Sequence, residues 1–179
     1  MPTLRIDKDL KDRCYFLTMT IIDWINIFTS DEYFHVVIDS LKYSQTQMNL
    51  KLFGYVIMKN HLHLIAQCKD MIRFIQTFKS YTSSILWKRL HQNNQGVKSK
   101  LVKKYNIEIG KKKRIWLPRN YPKICEEEFF FNQKLDYIHD NPVVKGYVKT
   151  PEDWKYSSAS NYYNHDHSVI SINTNYEID

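Results

Sequence analysis

The sequence predicts an α+β fold with an antiparallel sheet, and three observations predict it. Short runs rich in aromatic and β-branched residues alternate with two long segments of helical periodicity. Two of those runs, "LKLFGYVIM" and "HLHLIAQ", are separated only by Lys59 and Asn60, the length of a tight hairpin. A third helical segment, after the last extended run, carries Tyr137 and Asn141 four residues apart.

The elements follow in order. Residues 1–13 are charged and lack the apolar stretch of a signal peptide, and read as an N-terminal arm. "CYFLTMTII", from Cys14, reads as a strand. Ser30 with Asp31 and Glu32 signals a helix start, and Phe34, Val37, Ile38 and Leu41 carry the apolar face to about Thr46. The hairpin follows, then a helix from Met71 to about His91 with Phe74, Ile75, Phe78, Ile85, Leu86 and Leu90 on one stripe. "RIWLPRNYPKI" reads as extended because its prolines exclude a regular helix. "EEEFFFNQKLDYIHDNPV" opens with acids suited to a helix N-terminus, and Pro142 is expected to stop it. The order is that of a ferredoxin-like βαββαβ unit with helices on one face, plus an additional C-terminal helix carrying the tyrosine. The other sheet face is expected to be free for a site. Residues 14–150 form this domain, and residues 151–179 form a tail that docks on it through aromatics, with the last fifteen residues frayed.

Composition narrows the function. The chain has 179 residues, a formal charge of +7 and no apolar run of the roughly 20 residues a membrane helix needs. A cytoplasmic protein with no membrane partner is expected. Cys14, Cys68 and Cys125 are widely spaced, which suggests neither a zinc knuckle nor a disulfide framework. Eight basic residues, Lys98, Lys100, Lys103, Lys104, Lys111, Lys112, Lys113 and Arg114, face a single Glu in the same segment. Such a block is either a solvated loop or a surface that tracks phosphates. Arg119 extends it, and Trp116, Tyr121, Trp154 and Tyr156 are candidate platforms for stacked bases.

His61 and His63 fall on one face of their strand while Leu62 and Leu64 fall on the other. Two residues along a strand span about 6.6 Å, so the two imidazoles can converge on one ion or phosphate. Metal-free chemistry of the two-histidine phosphoesterase type needs a second His-x-Ser/Thr motif on another strand. The sequence offers only "HDHS" near its end.

"VIMKNHLHLI" and "LDYIHDNPVVKGYV" together resemble the paired motifs of single-tyrosine HUH transposases, closest to the REP-associated tyrosine transposases. "CYFLTMT", "FIQTFKSYTSSI", "IWLPRNY" and "PEDWKYSSASNY" are similar to further segments of that family in the same order, so the resemblance covers most of the chain. It implies that His61 and His63 hold a divalent metal, Mg²⁺ or Mn²⁺, with Asn141 as third ligand and Tyr137 as nucleophile. It also implies cleavage and rejoining of single-stranded DNA near hairpins through a 5′-phosphotyrosine. A catalytically inactive hairpin-binding regulator on the same fold is the alternative. The lack of a long linker and the REP-type tail favour a monomer over a homodimer. Two residues depart from the family pattern. Lys59 stands where a proline commonly precedes Asn-His and is expected to re-aim the hairpin, while Asp140 adds a negative charge beside the tyrosine.

Overall fold

A computed structural model describes residues 12–93, 96, 114–120 and 122–176. Most of the arm and all the basic residues from Lys98 to Lys113 lie outside the described residues, as does Tyr121.

Four strands form one sheet: β1 Cys14–Thr20, β2 Lys51–Ile57, β3 His61–Gln67 and β4 Lys123–Ile124. Their order across the sheet is β2-β3-β1-β4, and every pairing is antiparallel. Period-2 alternation splits the strand residues between two cores. Tyr15, Leu17, Met19, Leu52, Tyr55, Ile57, Leu62 and Leu64 meet α1 (Asp31–Gln47) and α2 (Met71–Asn93) on one face. Phe16, Phe53, Val56 and Ile65 point to the opposite face, where Phe131, Leu135 and Ile138 of α3 (Glu128–Val144) pack on them. That second face is therefore not bare; α3 lies across it and closes one side of the site.

Gly54 permits the close approach of α3. A Cβ there would stand 2.9 Å from Leu135 Cδ1. The β2–β3 register shifts between Leu52 and Gly54, a bulge that places Phe53 toward α3.

Pro142 does not stop α3; it sits inside the last turn. A proline forfeits its own N–H bond, here one to the Ile138 carbonyl, and its ring crowds that carbonyl, but with only two helical residues after it the end can close by other bonds. The Gly146 N–H donates to Val143 O and the Tyr147 N–H to Pro142 O, with Gly146 at φ +69°. This pairing, with glycine in the left-handed region, satisfies the last carbonyls.

The segment after the basic block runs beside β1. Ile21 bridges Trp116, and the Leu117 N–H donates to Thr20 O. The Trp116 ring is buried between Phe28 and Phe78, and its Nε1–H donates to Thr82 Oγ1 at 2.8 Å.

The tail lies along the outer side of β2. Ser157 bridges Val56, Ile57 N–H donates to Tyr156 O, Ser158 N–H donates to Tyr55 O, and Asn173 N–H donates to Leu52 O. A short helix α4 (Ala159–Tyr163) follows the Ser-Ser pair. The expected fraying of the last fifteen residues is not found as far as residue 176. Ile170 and Ile172 are buried in the main core, and Tyr176 stacks on Phe131 with ring centroids 4.5 Å apart. Isolated apolar residues in a polar, aperiodic stretch do not register as an element, yet each finds a pocket.

Candidate active site

The strand alternation that buries Leu62 and Leu64 under α1 and α2 turns His61 and His63 toward α3. Their rings meet in a T-shaped contact, with centroids 4.8 Å apart. Both are buried, and so is Asn141 on the facing helix. The Asn141 side chain faces His61 and donates to the Tyr137 carbonyl at 3.3 Å. Tyr137 sits one turn earlier on the same helix face, its ring 5.2 Å from that of His63 and 48% exposed. Phe16 packs beneath them, stacked on His63 at 5.4 Å. All four residues singled out on motif and resemblance thus come together, with the tyrosine reachable from solvent.

Each imidazole is oriented through its Nδ1. The Asn60 Nδ2 group donates to Trp24 O at 3.1 Å and to Asn26 Oδ1 at 2.9 Å, so Asn60 Oδ1 is the acceptor that faces His61 Nδ1 at 2.7 Å. His61 must therefore carry its proton on Nδ1, which leaves the Nε2 lone pair free. His63 Nδ1 pairs with Thr18 Oγ1 at 2.9 Å, and its Nε2 is buried with no hydrogen-bond partner. A buried polar nitrogen without a partner is costly, and a metal ion is one occupant that would satisfy it.

Burial first, then the Lys145 charge, pushes His61 down to about 4, against a smaller opposing effect of the Asn141 hydrogen bond. Burial, then His61 and Lys134, pushes His63 down to about 3. Both rings are neutral near pH 7, the state in which imidazole ligates metal. Lys134, one turn before Tyr137, and Lys145, at the C-cap of α3, bring positive charge to the site. Lys134 Nζ lies 5.8 Å from the Tyr137 ring centroid.

Among the described residues, no group of three or more His, Cys, Asp or Glu side chains is placed to hold a metal ion. A divalent ion held by His61, His63 and Asn141 would thus have two nitrogens, one neutral amide oxygen and water. That donor set fits Mn²⁺ better than Mg²⁺ and leaves positions open to substrate oxygens.

Of the basic residues expected to meet DNA, Arg114 and Arg119 are described, and both are exposed. Trp116 corrects the expectation: it is 1% exposed, and its ring serves the core rather than a base. Tyr156 is likewise buried, stacked on Phe34 at 4.0 Å, and Trp154 is half-buried with Nε1–H on Ile57 O. These aromatics are placed by packing, which a single sequence does not distinguish from display.

The two departures are accommodated. The hairpin tip is held by backbone, with Ile27 and Phe28 N–H both donating to Lys59 O and Ile21 N–H to Asn60 O. Any residue at 59 offers that carbonyl, and the lysine side chain lies over Tyr147 at 4.3 Å. Asp140 is exposed, and its charge acts on Tyr163 of the tail.

His139 was absent from the motif reading. It is buried, and its Nε2 pairs with Ser158 Oγ at 2.8 Å, while that same oxygen accepts from Tyr55 N–H at 3.0 Å. One serine thus ties the tyrosine helix, the tail and β2 together. The Ser-Ser pair in "YSSASNYY" is the sequence signal for this tie.

This antiparallel four-stranded sheet, with paired strand histidines facing a tyrosine helix, is the fold and site of a member of a transposase family. The family described as IS200-like transposases matches residues 15–121, more than half of the chain, and the protein belongs to it. A candidate REP-associated tyrosine transposase of Haemophilus influenzae is 26% identical over 153 residues, covering 83% of this chain and 80% of that protein. In fold, the chain superposes on a REP-associated tyrosine transposase solved with a REP hairpin, with a TM-score of 0.67 and 16% identity over 99% of this chain and 95% of that one. A transposase structure from Deinococcus radiodurans is more distant, with a TM-score of 0.45 and 17% identity over 78% of this chain and 97% of that one. The family match includes both histidines and ends before α3, so Tyr137 and Asn141 enter the site through geometry. Among the described residues no helix is long and apolar enough to cross a membrane.

Proposed function

We propose that the protein is a metal-dependent transposase that cleaves and rejoins single-stranded DNA near hairpins through Tyr137. The observation that carries this reading is the exposed Tyr137 ring beside His63, whose buried Nε2 has no partner. His61, His63 and Asn141 would hold Mn²⁺ or Mg²⁺. When bound, the ion supplies charge neutralisation at the scissile phosphate. Lys134 and Lys145 draw the phosphate toward the tyrosine face and add positive charge there. Tyr137 Oη attacks phosphorus and the P–O3′ bond breaks. The proton lost by the phenol balances the one gained by the departing 3′ oxygen. The 5′-phosphotyrosine retains the ester, so a second 3′-hydroxyl can displace the tyrosine without an external energy source. The hairpin partner is supported by the relative solved with a REP hairpin, and a monomer by a tail that occupies the sheet edge.

A labelled hairpin oligonucleotide incubated with protein and Mn²⁺ tests the reading on a denaturing gel. A covalent band is expected that disappears with chelator and in Tyr137→Phe, His61→Ala and His63→Ala, while the histidine variants still retain the hairpin on native gels. Cleavage that survives both histidine changes would sink the metal assignment. Native-gel retention by the unaltered protein with no covalent band would make it a hairpin-binding regulator.

A further inference from the structure

Trp24 ends the tight turn Ile22–Trp24 that follows β1. Its ring is 60% exposed and stands edge-on to His61 with centroids 5.6 Å apart. Four rings therefore run in a row, Trp24, His61, His63 and Tyr137, each in T-shaped contact with the next. The tyrosine closes one end of this row and the indole the other.

The backbone that displays the indole is strained. Asp23 and Trp24 both have φ of +56°, a region that bulky side chains rarely adopt. The turn is held there by Trp24 N–H on Ile21 O, by Ile22 N–H on Ile115 O and by Asn60 Nδ2 on Trp24 O. Asn60 is also the residue that fixes the His61 ring, so one amide sets both the metal-binding imidazole and the indole. Packing does not explain the arrangement, because the ring is largely in water. An apolar face presented to solvent beside an anion-attracting centre suits a flat, neutral π-system carried on a phosphate chain.

We propose that Trp24 is the stacking platform for one unpaired nucleobase close to the scissile phosphate, fixing which nucleotide lies next to the cut. The inference rests on the reading of the site as a DNA strand-transfer centre. Its role replaces the one expected of Trp116, whose ring is committed to the core. The phosphates on either side would lie toward Lys145 and Lys134, while the base leaves the chain toward the indole.

An abasic scan tests this. In a Tyr137→Phe background, which blocks cleavage, dissociation constants are measured for hairpin oligonucleotides carrying one abasic nucleotide at each unpaired position in turn. One position is expected to weaken binding on the order of tenfold, the scale of a single base–aromatic stack. Adding Trp24→Ala should lower affinity for the intact oligonucleotide by the same factor and abolish the penalty at that one position. Trp24→Phe should restore most of both. Thermal melting checks that the variants fold, and Trp24→Leu, which keeps apolar bulk without an aromatic face, carries the comparison where the alanine variant does not fold. An abasic profile that Trp24→Ala or Trp24→Leu leaves unmoved overturns the platform while the strand-transfer reading stands. Failure of the Tyr137→Phe protein to bind any hairpin overturns both.

Discussion

At the scale of single residues, Asn60 governs the site more than its position in a hairpin turn suggests. Its amide gives two donors to backbone and side chain and one acceptor to His61, so the imidazole has a single tautomer before any ligand arrives. Asn60→Ala is expected to weaken Mn²⁺ affinity about 10- to 100-fold, the usual effect of losing such an outer partner. Calorimetric titration of the protein without DNA would measure it, and an unchanged affinity would mean the ring is held by packing alone. His139 offers a different test. Burial holds it down at about 4, below its ordinary value near 6.5. As pH falls through 6.5 the unfolded chain takes up the proton first, so stability is lost between pH 6.5 and about 4 and is unaffected above that window. The loss reaches at most about 1.4 kcal/mol per pH unit for one histidine. Urea midpoints of the metal-free protein should therefore fall more steeply with acid than those of His139→Gln, whose side chain cannot titrate.

At the scale of elements, the position of the tyrosine depends on how closely α3 can lie on β2. Gly54 sets that distance against Leu135. The contacting atom is the tip of a flexible side chain, so Gly54→Ala leaves room to adjust, whereas Gly54→Val must lift the helix. The valine variant should lose about 1–3 kcal/mol of stability, read from denaturant unfolding. Its cleavage should drop well beyond what the unfolded fraction explains, with hairpin retention preserved. Cleavage that fell only in step with unfolding would mean that α3 need not be placed so closely. The α3 stripe of Phe131, Leu135 and Ile138 was legible in the sequence because period 3.6 survives on any packed helix. The hairpin was legible because two strand runs two residues apart leave few alternatives. Pro142 was misread because a proline breaks a helix interior and not a closing turn. The Trp24 turn left no trace in composition or period, since positive φ at non-glycine residues is a property of the surrounding hydrogen bonds.

At the scale of the whole molecule, charge and connectivity decide. The net +7 predicts hairpin affinity that falls with salt, with a log–log slope of about −0.7 for each single-strand phosphate contact. Replacing Lys111, Lys112, Lys113 and Arg114 together by Ala should shallow that slope by up to about 3 and leave Mn²⁺ affinity intact. An unaltered slope would make the block a solvated loop. The topology of the sheet followed from element order, but the course of the tail did not. Its partners are backbone groups on β2, which carry no residue identity.

That tail has a consequence for assembly. Along the outer side of β2, Leu52 O, Phe53 O, Tyr55 N and O, and Ile57 N and O are all taken, by Asn173, Tyr162, Ser158, Tyr156 and Trp154. A second copy therefore finds no open row of donors and acceptors there to zip onto. The opposite margin is β4, two residues long, too short to template another strand. Among the described residues, the sheet is sheathed on one flank and blunt on the other, and neither flank offers a long edge for strand addition.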